Sequence, residues 1–216
     1  MTAHPVTVID YGIGNLLNVV RALQHEGGQV TVVDQATQVQ TLPERLVLPG
    51  VGAFGDGMRE LRTRGFDELV RRFADSGRPL LGICVGAQML FDAGEEFGEN
   101  AGLGLIPGRV QPVPAFDSSG TRHRIPHIGW GRLERPAARE SWAGSILSRT
   151  PAREPVYFVH SFAPVSALEQ HCLADTLYGG VRICAAVARD QISGCQFHPE
   201  RSGEPGLAVL ATFLQT

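Results

Sequence analysis

The feature of this sequence that most restricts its fold is a series of short, nearly unbroken apolar segments. They alternate with stretches in which apolar residues recur at helical spacing. Four of them occupy the first half of the chain: VTVID (6–10), VTVVD (30–34), LVLP (46–49) and PLLGIC (79–84). Strands that are apolar on both faces are typical of a parallel sheet covered by helices. The pattern therefore predicts an α/β fold with a doubly wound, mainly parallel sheet, whose reactive groups lie beyond the carboxyl ends of the strands.

Apolar residues at helical spacing fill the intervals between these segments. Residues 16–23 predict a helix that ends at a Gly-Gly pair, and residues 56–74 predict one long amphipathic helix. A further helix is predicted to begin with VGAQMLF (85–91), directly after the fourth strand. This β-α-β order is the one that a doubly wound sheet requires.

The second half of the chain has a different character. Residues 107–155 are rich in proline, glycine and arginine and predict a long irregular connection with short elements. A Gly-Gly pair at 179–180 predicts an antiparallel hairpin, and a final helix is predicted over 206–214. No linker divides the chain, so residues 1–216 are expected to form a single domain. The strand-like segments of this half are VYFVHS (156–161), CLADTLY (172–178), VRICAAVA (181–188) and SGCQF (193–197).

Composition argues against several functional classes. With 43% hydrophobic residues, 19% charged residues and a net charge of −3, the chain resembles a soluble globular protein and lacks the basic surface of a nucleic-acid binder. No apolar segment approaches the roughly 20 residues of a membrane span, and the first residues lack a secretion signal, so a cytoplasmic location is expected. The four cysteines show no Cys-x-x-Cys spacing, which argues against a zinc site and against a disulfide framework.

Cys84 lies between Gly82 and Gly86 at the junction of a predicted strand and a predicted helix. This spacing is typical of a nucleophile elbow, a sharp turn that lifts the nucleophile above the edge of the sheet. A side chain at either glycine position is expected to crowd the neighbouring backbone. Partial positive charge at the start of the helix favours the thiolate, which is the reactive form. A buried cysteine in a glycine-rich turn is the alternative interpretation.

His198 and Glu200 follow a predicted strand in the segment QFHPE (196–200). Residues i and i+2 of an extended segment point the same way, so the Glu200 carboxylate is expected to accept a hydrogen bond from the His198 ring. A nucleophilic thiol needs such a base and orienting group. The alternative is a surface histidine and glutamate at a strand end, and it loses support because Cys84 ends a strand of the same sheet.

Two further glycine-containing turns follow predicted strands. The segment LPGVGAFGD (48–56) carries little side-chain bulk at Gly50, Val51 and Gly52, so its backbone N–H groups can turn towards a developing oxyanion. A simple glycine turn is the alternative there. The segment YGIGN (11–15) lacks the third glycine of a dinucleotide-binding turn, and no cofactor site is expected in it.

Together these residues resemble the class I, or triad, glutamine amidotransferase family. The resemblance covers almost the full chain and implies a flavodoxin-like fold, with helices on both faces of the sheet and an antiparallel extension. It implies a triad of Cys84, His198 and Glu200, with Gln88 in contact with the substrate glutamine and the 50–52 segment as the oxyanion hole. It implies no metal and no organic cofactor.

Five longer motifs are similar to those of one branch of this family, whose glutaminases dock onto a (β/α)8-barrel cyclase subunit. The branch implies that Cys84 attacks the side-chain amide of glutamine and that the released ammonia reaches the cyclase. The cyclase products in that branch are imidazole glycerol phosphate and aminoimidazole carboxamide ribotide, in histidine biosynthesis. The motifs are DYGIGNLLNV (10–19), LPGVGAFGDGM (48–58), IPHIGW (125–130), YFVHSF (157–162) and FHPERS (197–202).

The same resemblance assigns roles to residues outside the triad. His160 and Ser161 are expected to line the glutamine pocket. Packing in the core is the alternative for His160 and for the two aromatic residues of the expected interface. The residues expected at the interface with the partner are Asn15, Trp130, Tyr157 and Arg201.

Two other functions stay open at this point. One is a related glutaminase that supplies ammonia to a different synthase, such as one that makes amidated or aminated sugars. The other is a cysteine hydrolase or peptidase of similar fold. A binding module without catalytic activity is disfavoured, because Cys84, His198 and Glu200 are all present.

Overall fold

The computed structural model describes residues 4–216, and thirteen strands and five α-helices lie within them. None of these helices combines the length and the apolar surface that crossing a membrane requires. The helices are α1 (Leu16–His25), α2 (Phe54–Thr63), α3 (Phe66–Asp75), α4 (Val85–Gln88) and α5 (Gly203–Leu214). The strands are β1 (His4–Ile9), β2 (Gly28–Val33), β3 (Leu46–Leu48), β4 (Leu80–Ile83), β5 (Phe91–Gly94), β6 (Asn100–Ala101), β7 (Ile106–Pro112), β8 (His127–Arg132), β9 (Pro155–His160), β10 (Phe162–Ser166), β11 (Cys172–Tyr178), β12 (Val181–Arg189) and β13 (Ile192–Cys195).

A seven-stranded mixed sheet forms the centre of the fold, in the order β11-β12-β13-β4-β3-β1-β2. The five strands from β13 to β2 are parallel to one another. The hairpin of β11 and β12, turned by Gly179 and Gly180, adds an antiparallel extension at one end. The predicted parallel sheet and the predicted hairpin are both confirmed.

Helices cover both faces of this sheet. The chain passes from β1 to β2 and from β3 to β4 in opposite directions along the sheet. Because β-α-β crossovers are right-handed, α1 lies on one face, and α2 with α3 lies on the other. The last helix, α5, packs against α1. The architecture is therefore the doubly wound α/β fold that the sequence predicts.

The core consists of the apolar strand segments and the aromatic residues that the helices place against them. Val8, Val47 and Leu81 lie in three neighbouring strands and have no exposed surface, and the same holds for Phe54 and Phe73 of α2 and α3. Burial of an apolar side chain of this kind stabilises the fold by roughly 1.5–3 kcal/mol. The strands are therefore firm supports for the loops at their carboxyl ends.

The prediction of one long helix over 56–74 is wrong, since two helices occupy this segment. α2 ends at Thr63 and α3 begins at Phe66, and Gly65 between them has a left-handed conformation with φ 71°. Hydrophobic spacing reports which side of a helix is buried, and it does not register a break of a single turn. Both helices bury the same stripe, so the pattern continues across the break.

Residues 107–155 contain more regular structure than the predicted irregular connection. β7 joins β5, β6 and β10 in a second sheet with the order β10-β7-β5-β6. β8 pairs with β9 in a separate two-stranded ribbon, so the VYFVHS segment does not join the large sheet. β7 alternates buried and half-buried residues, but its sequence IPGRVQP hides this period, because proline and glycine are weak strand signals.

Candidate active site

Three neighbouring strands of the large sheet, β3, β4 and β13, end at the same edge. Residues 50–52 follow β3, Cys84 follows β4 and His198 follows β13. Two of these strands are joined beside the thiol, where the Cys84 amide donates a 2.7 Å hydrogen bond to the Cys195 carbonyl. The sheet thereby gathers site residues that are far apart in the chain.

The backbone of Cys84 has the strained conformation of a nucleophile elbow, with φ 54° and ψ −113°. A Cβ on Gly86 would lie 1.8 Å from the Leu48 carbonyl oxygen, and a Cβ on Gly82 would lie 2.7 Å from the Ala87 Cα. Both positions require glycine because backbone approaches backbone there, which confirms the predicted steric reason.

The helix after Cys84 is much shorter than predicted. α4 is a single turn that ends at Gln88, and the chain enters β5 at Phe91. The field of a helix terminus comes from a series of aligned peptide dipoles, and one turn supplies few of them. Electrostatic support for a thiolate therefore has to come mainly from the neighbouring His198.

His198 Nδ1 lies 2.8 Å from Glu200 Oε1, and 4% and 0% of the two side chains are exposed. The predicted pair therefore forms, but the backbone between its members differs from the prediction. Pro199–Arg201 is a 3₁₀ turn and not an extended segment. Proline suits the first position of such a turn because its φ is fixed near the helical value. The turn, and not strand alternation, brings the carboxylate to the ring.

Hydrogen bonds on both sides of the chain anchor His198. Its amide donates to the Tyr157 carbonyl at 2.9 Å, which connects the histidine to β9. The Ser202 hydroxyl donates to the His198 carbonyl at 2.6 Å and accepts from the Tyr157 amide at 2.9 Å. The position of the ring is thus fixed by the end of β13 and by the ribbon together.

The charge state of His198 follows from its two polar neighbours. Burial alone would lower its pKa, but the nearby Cys84 and the hydrogen-bonded Glu200 raise the pKa to about 10. The other ring nitrogen, Nε2, is buried and has no hydrogen-bond partner among residues 4–216. An imidazolium beside Cys84 stabilises the thiolate, so this arrangement supports a thiolate–imidazolium pair.

A cavity of about 440 Å³ opens beside the thiol. Small-molecule sites in proteins typically measure roughly 300–1,000 Å³. All three predicted substrate-binding residues, Gln88, His160 and Ser161, contribute to its wall. The complete lining is Val51, Gly52, Ala53, Cys84, Val85, Gln88, Glu96, Phe97, Pro126, Val159, His160, Ser161, Phe162 and His198.

The predicted oxyanion segment lies only partly at this cavity. Val51 and Gly52 line it, whereas Gly50 is buried and absent from its wall. The amides of Val51 and Gly52 donate to no acceptor within residues 4–216, and the same is true of the Val85 amide. The amide after an elbow nucleophile is a usual oxyanion donor. Sequence analysis missed Val85, because the role belongs to its backbone and leaves the side chain unrestricted.

Gln88 is 3% exposed, and its carboxamide nitrogen donates to the Phe162 carbonyl and to the Gln196 side chain, both at 2.9 Å. Both N–H groups are thus engaged, which leaves Oε1 to accept a hydrogen bond from an amide substrate. Gln196 also lies 3.8 Å from Cys84 Sγ through its own nitrogen. Sequence analysis missed Gln196, which directly follows the end of β13 and lies two residues before His198.

His160 belongs to a hydrogen-bonded chain of neutral groups. Its Nδ1 donates to the Phe162 carbonyl at 2.9 Å, so its Nε2 accepts from His127 Nδ1 at 3.1 Å. Burial lowers the pKa of both histidines to about 4. His160 therefore combines the two expected roles, since it is a buried, hydrogen-bonded histidine and also lines the cavity.

The four residues expected at a partner interface lie at or near the surface. Trp130 is 59% exposed, and its ring centroid lies 5.9 Å from that of the half-buried Tyr157. The Arg201 guanidinium lies 4.4 Å above the Tyr157 ring, in cation–π contact. Asn15 is half-buried and accepts a 2.9 Å hydrogen bond from Asn18. The core alternative is wrong for Trp130, whose ring faces solvent in this chain.

Glu96 and Phe97 also line the cavity, and sequence analysis missed both. Glu96 accepts a 2.8 Å hydrogen bond from the amide of Phe54, at the start of α2, which fixes its carboxylate at the cavity wall. Phe97 is 93% exposed and has a φ of 55°. No signal in one sequence separates Glu96 from the adjacent Glu95, because packing decides which carboxylate faces the cavity.

Comparison with known proteins identifies the family. A family model described as glutamine amidotransferase class-I matches residues 7–215. The chain belongs to this family. The matched segment of the class-I amidotransferase includes the elbow, the oxyanion segment and the His198–Glu200 turn.

Several relatives with high identity carry the same subunit name. The chain is 48% identical over 210 residues to "Imidazole glycerol phosphate synthase subunit HisH 1" of Legionella pneumophila (strain Lens), covering 97% of this chain and 98% of the relative. It is 42% identical to the subunit HisH of Syntrophotalea carbinolica, with 96% and 98% covered. The HisH subunit of Moorella thermoacetica is 40% identical, with 97% and 93% covered.

Solved structures share the fold at low sequence identity. The structure of PurLQS from Thermotoga maritima aligns with a TM-score of 0.72 at 20% identity, covering 99% of each chain. A structure titled glutamine amidotransferase aligns with a TM-score of 0.69 at 22% identity, covering 98% of this chain and 99% of the other. These alignments support the fold and carry no information on substrate.

Proposed function

We propose that this amidotransferase is the glutaminase subunit of an imidazole glycerol phosphate synthase. The observation that carries the proposal is the buried His198–Glu200 pair, at 2.8 Å, beside Cys84 at the wall of a cavity of about 440 Å³. Relatives at 40–48% identity over nearly the full chain bear that subunit name. The subunit hydrolyses glutamine to glutamate and ammonia, and the ammonia serves a cyclase subunit.

The first half of the reaction forms a thioester. The Cys84 thiolate attacks the side-chain carbonyl of glutamine, and the amides of Val51 and Val85 stabilise the oxyanion that develops. The His198 imidazolium then gives its proton to the departing nitrogen, so that ammonia leaves and a γ-glutamyl thioester remains on the sulfur. One oxyanion-hole donor typically contributes roughly 10²–10³-fold to such a rate.

The second half of the reaction releases glutamate. Neutral His198 accepts a proton from a water molecule as that water attacks the thioester, and the tetrahedral species collapses to the γ-carboxylic acid and the Cys84 thiolate. The acid then loses its proton to solvent and leaves as glutamate. His198 is again an imidazolium, as at the start. Glu200 keeps its charge throughout and holds the ring through Nδ1, so that Nε2 remains the nitrogen that handles protons.

Recognition of glutamine follows from the polar groups at the cavity wall. Gln88 Oε1 is suited to accept from the side-chain amide of the substrate, close to the reacting carbon. The Glu96 carboxylate is the acidic group of the lining and matches the α-ammonium group of an amino acid. The lining has one carboxylate and no arginine or lysine, which favours a short zwitterionic substrate over an extended acidic one.

The partner is proposed to be a (β/α)8-barrel cyclase subunit that forms a heterodimer with this chain in the cytoplasm. Trp130 and Tyr157 meet edge to face, and Arg201 lies over the Tyr157 ring. Together with the 59% exposed Ile128 of the same ribbon, they supply an aromatic and cationic surface of the kind that anchors interfaces. Tyr157 belongs to this group, and its backbone also anchors His198. The same strand therefore touches the partner surface and the triad.

Purified protein should be combined with a barrel cyclase subunit and assayed for glutamate release from glutamine and for imidazole glycerol phosphate. The expected result is that both products form in equal amounts and that glutamate release is slow without the partner. Release of glutamate with no cyclase product would favour a glutaminase that serves another synthase. No glutamate release with the partner present would favour a hydrolase with a different substrate.

A further inference from the structure

The Tyr11 hydroxyl is a buried polar group without a visible function. Tyr11 is 1% exposed, and its Oη has no hydrogen-bond partner among residues 4–216. A buried hydroxyl without a partner lowers stability, and such groups are rare in native proteins. A phenylalanine would fill the same space without that cost, so the oxygen calls for an explanation outside the resting fold.

The hydroxyl lies between the oxyanion segment and the elbow. Tyr11 follows the carboxyl end of β1, which neighbours β3 in the large sheet. A Cβ on Gly50 would lie 2.3 Å from Tyr11 Oη, 2.8 Å from the Gly86 amide nitrogen and 3.1 Å from Val85 Cβ. The oxygen therefore occupies the space that the missing side chain of Gly50 leaves beside the elbow turn.

The Tyr11 hydroxyl keeps its proton throughout the neutral pH range. Burial raises the pKa of Tyr11, and the negative charge of a Cys84 thiolate raises it further. Because no acceptor within residues 4–216 holds the hydroxyl hydrogen, that hydrogen can turn about the Cζ–Oη bond. A buried donor that is free to rotate turns its positive end towards a nearby anion.

We propose that Tyr11 is a positioning residue for the glutaminase reaction. Its hydroxyl fills the space behind Gly50 and turns its proton towards the negative charge that forms at the elbow. It thereby stabilises the Cys84 thiolate, and also the oxyanion segment when that segment holds the developing oxyanion. It does so without touching the substrate. This inference rests on the proposed function, but its effect on the thiolate can be measured without glutamine.

Tyr11→Phe removes the oxygen alone, and Thr176→Val is the matched control. Thr176 is fully buried in β11, its Oγ1 has no partner within residues 4–216, and β12 and β13 separate its strand from β4. Both variants lose an unpartnered buried hydroxyl, so both are expected to melt at or above the temperature of the parent. A difference between them in activity then reports the location of the oxygen and not stability.

For Tyr11→Phe with the cyclase partner, kcat for glutamine hydrolysis is expected to fall about three- to tenfold with KM nearly unchanged, a smaller effect than loss of a direct oxyanion donor. The acid limb of the pH–rate profile is expected to move to higher pH, because the thiolate loses support. Thr176→Val is expected to keep the parental kcat and profile. An unchanged profile in Tyr11→Phe, or equal losses in both variants, would overturn the inference.

Alkylation of Cys84 by iodoacetamide, followed by mass spectrometry across a pH series, gives the second readout. The pH at half-maximal alkylation is expected to rise by about half a unit in Tyr11→Phe and to stay constant in Thr176→Val. This readout needs neither glutamine nor a partner. A shifted alkylation profile with no glutaminase activity in the parent protein would refute the proposed function and leave the role of Tyr11 intact.

Discussion

The two sides of the cavity hold buried histidines that are held in opposite charge states. On the sheet side, His198 lies between a thiol and a carboxylate, and its pKa is raised to about 10. On the ribbon side, His160 lies between the His127 imidazole and a backbone carbonyl, and its pKa is lowered to about 4. Burial acts in the same direction on both rings, so the difference comes from their partners.

The two charge states suit two different roles, proton transfer on one side of the cavity and structural support on the other. An imidazolium that is stable at neutral pH can stabilise a thiolate and protonate a leaving group. A neutral imidazole with both nitrogens in hydrogen bonds can hold a wall in place and does not exchange protons readily. The sheet side is therefore the proposed reaction centre, and the ribbon side is proposed to shape the cavity. The predictions below test this division, from the largest expected effect to the smallest.

Removal of the sulfur should eliminate the sheet side as a reaction centre. Cys84→Ser is expected to lower glutamine-dependent synthesis by roughly 10⁴-fold or more, because a nucleophile is lost from a group that acts as a unit. Synthesis from added ammonium salts should persist, since the cyclase needs only ammonia. Parallel assays with glutamine and with ammonium chloride measure the two activities. Loss of both in a folded complex would contradict the division of labour between the subunits.

Replacement of the carboxylate should make His198 resemble the ribbon histidines. In Glu200→Gln the pKa of His198 is expected to fall, because a negative partner that raises it has been removed. Glutaminase kcat should drop by roughly 10²–10⁴-fold, as in other triads that lose the orienting carboxylate. NMR titration of the His198 ring protons and steady-state kinetics measure both effects. The exposed Glu204→Gln, on α5, is the control and should change neither.

The exposed face of the ribbon should matter for assembly and not for the chemistry of the triad. Trp130→Ala is expected to weaken binding of the cyclase subunit by about ten- to a hundredfold, as an aromatic anchor at an interface does. Calorimetric titration of the two subunits measures the dissociation constant. Leu177→Ala removes a 49% exposed apolar side chain from β11 and should leave it unchanged. Equal weakening by both variants would count against the ribbon as the docking surface.

The two sides of the cavity should also lose their contributions to fold stability at opposite ends of the pH scale. A histidine with its pKa lowered to about 4 stabilises the fold above its unfolded pKa of about 6.5, and that contribution is lost as the pH falls through 4. His198, with its pKa raised to about 10, contributes below about pH 6.5, and that contribution is lost as the pH rises through 10. Acid should therefore weaken the ribbon side, and alkali should weaken the sheet side.

His127→Gln tests the acid half of this statement. Between pH 7.5 and pH 4.5 the parent protein should lose about 2–4 °C more in melting temperature than the variant, because one buried neutral histidine has been removed. Thermal unfolding at both pH values measures the difference. His25→Gln, at a side chain that is 71% exposed, should behave like the parent. If the variant lost as much melting temperature in acid as the parent, groups other than His127 would be the cause of the acid sensitivity.

Several site features could be read from the chain because local rules govern them. The glycines at 82 and 86 are required by backbone contacts within one strand–turn–helix unit, and the spacing of Cys84 from both displays that requirement. The pairing of His198 with Glu200 is local too, although the 3₁₀ turn that produces it was not anticipated. The break at Gly65 was missed because the period of buried residues continues from α2 into α3. The strand β7 was missed because its proline and glycine are weak strand signals.

The sequence by itself determined the sheet, the elbow and the choice of the proposed reacting groups. Apolar periodicity and glycine spacing act over a few residues at a time, so they can be recognised in one sequence. Only the tertiary structure decided which carboxylate faces the cavity, that Gln196 and Val85 belong to the site, and that Tyr11 Oη lies behind Gly50. These relations join segments that are distant in the chain, and packing between strands sets them. The opposite charge states of His198 and His160 have the same origin, because a pKa depends on neighbours in space and not on neighbours in sequence.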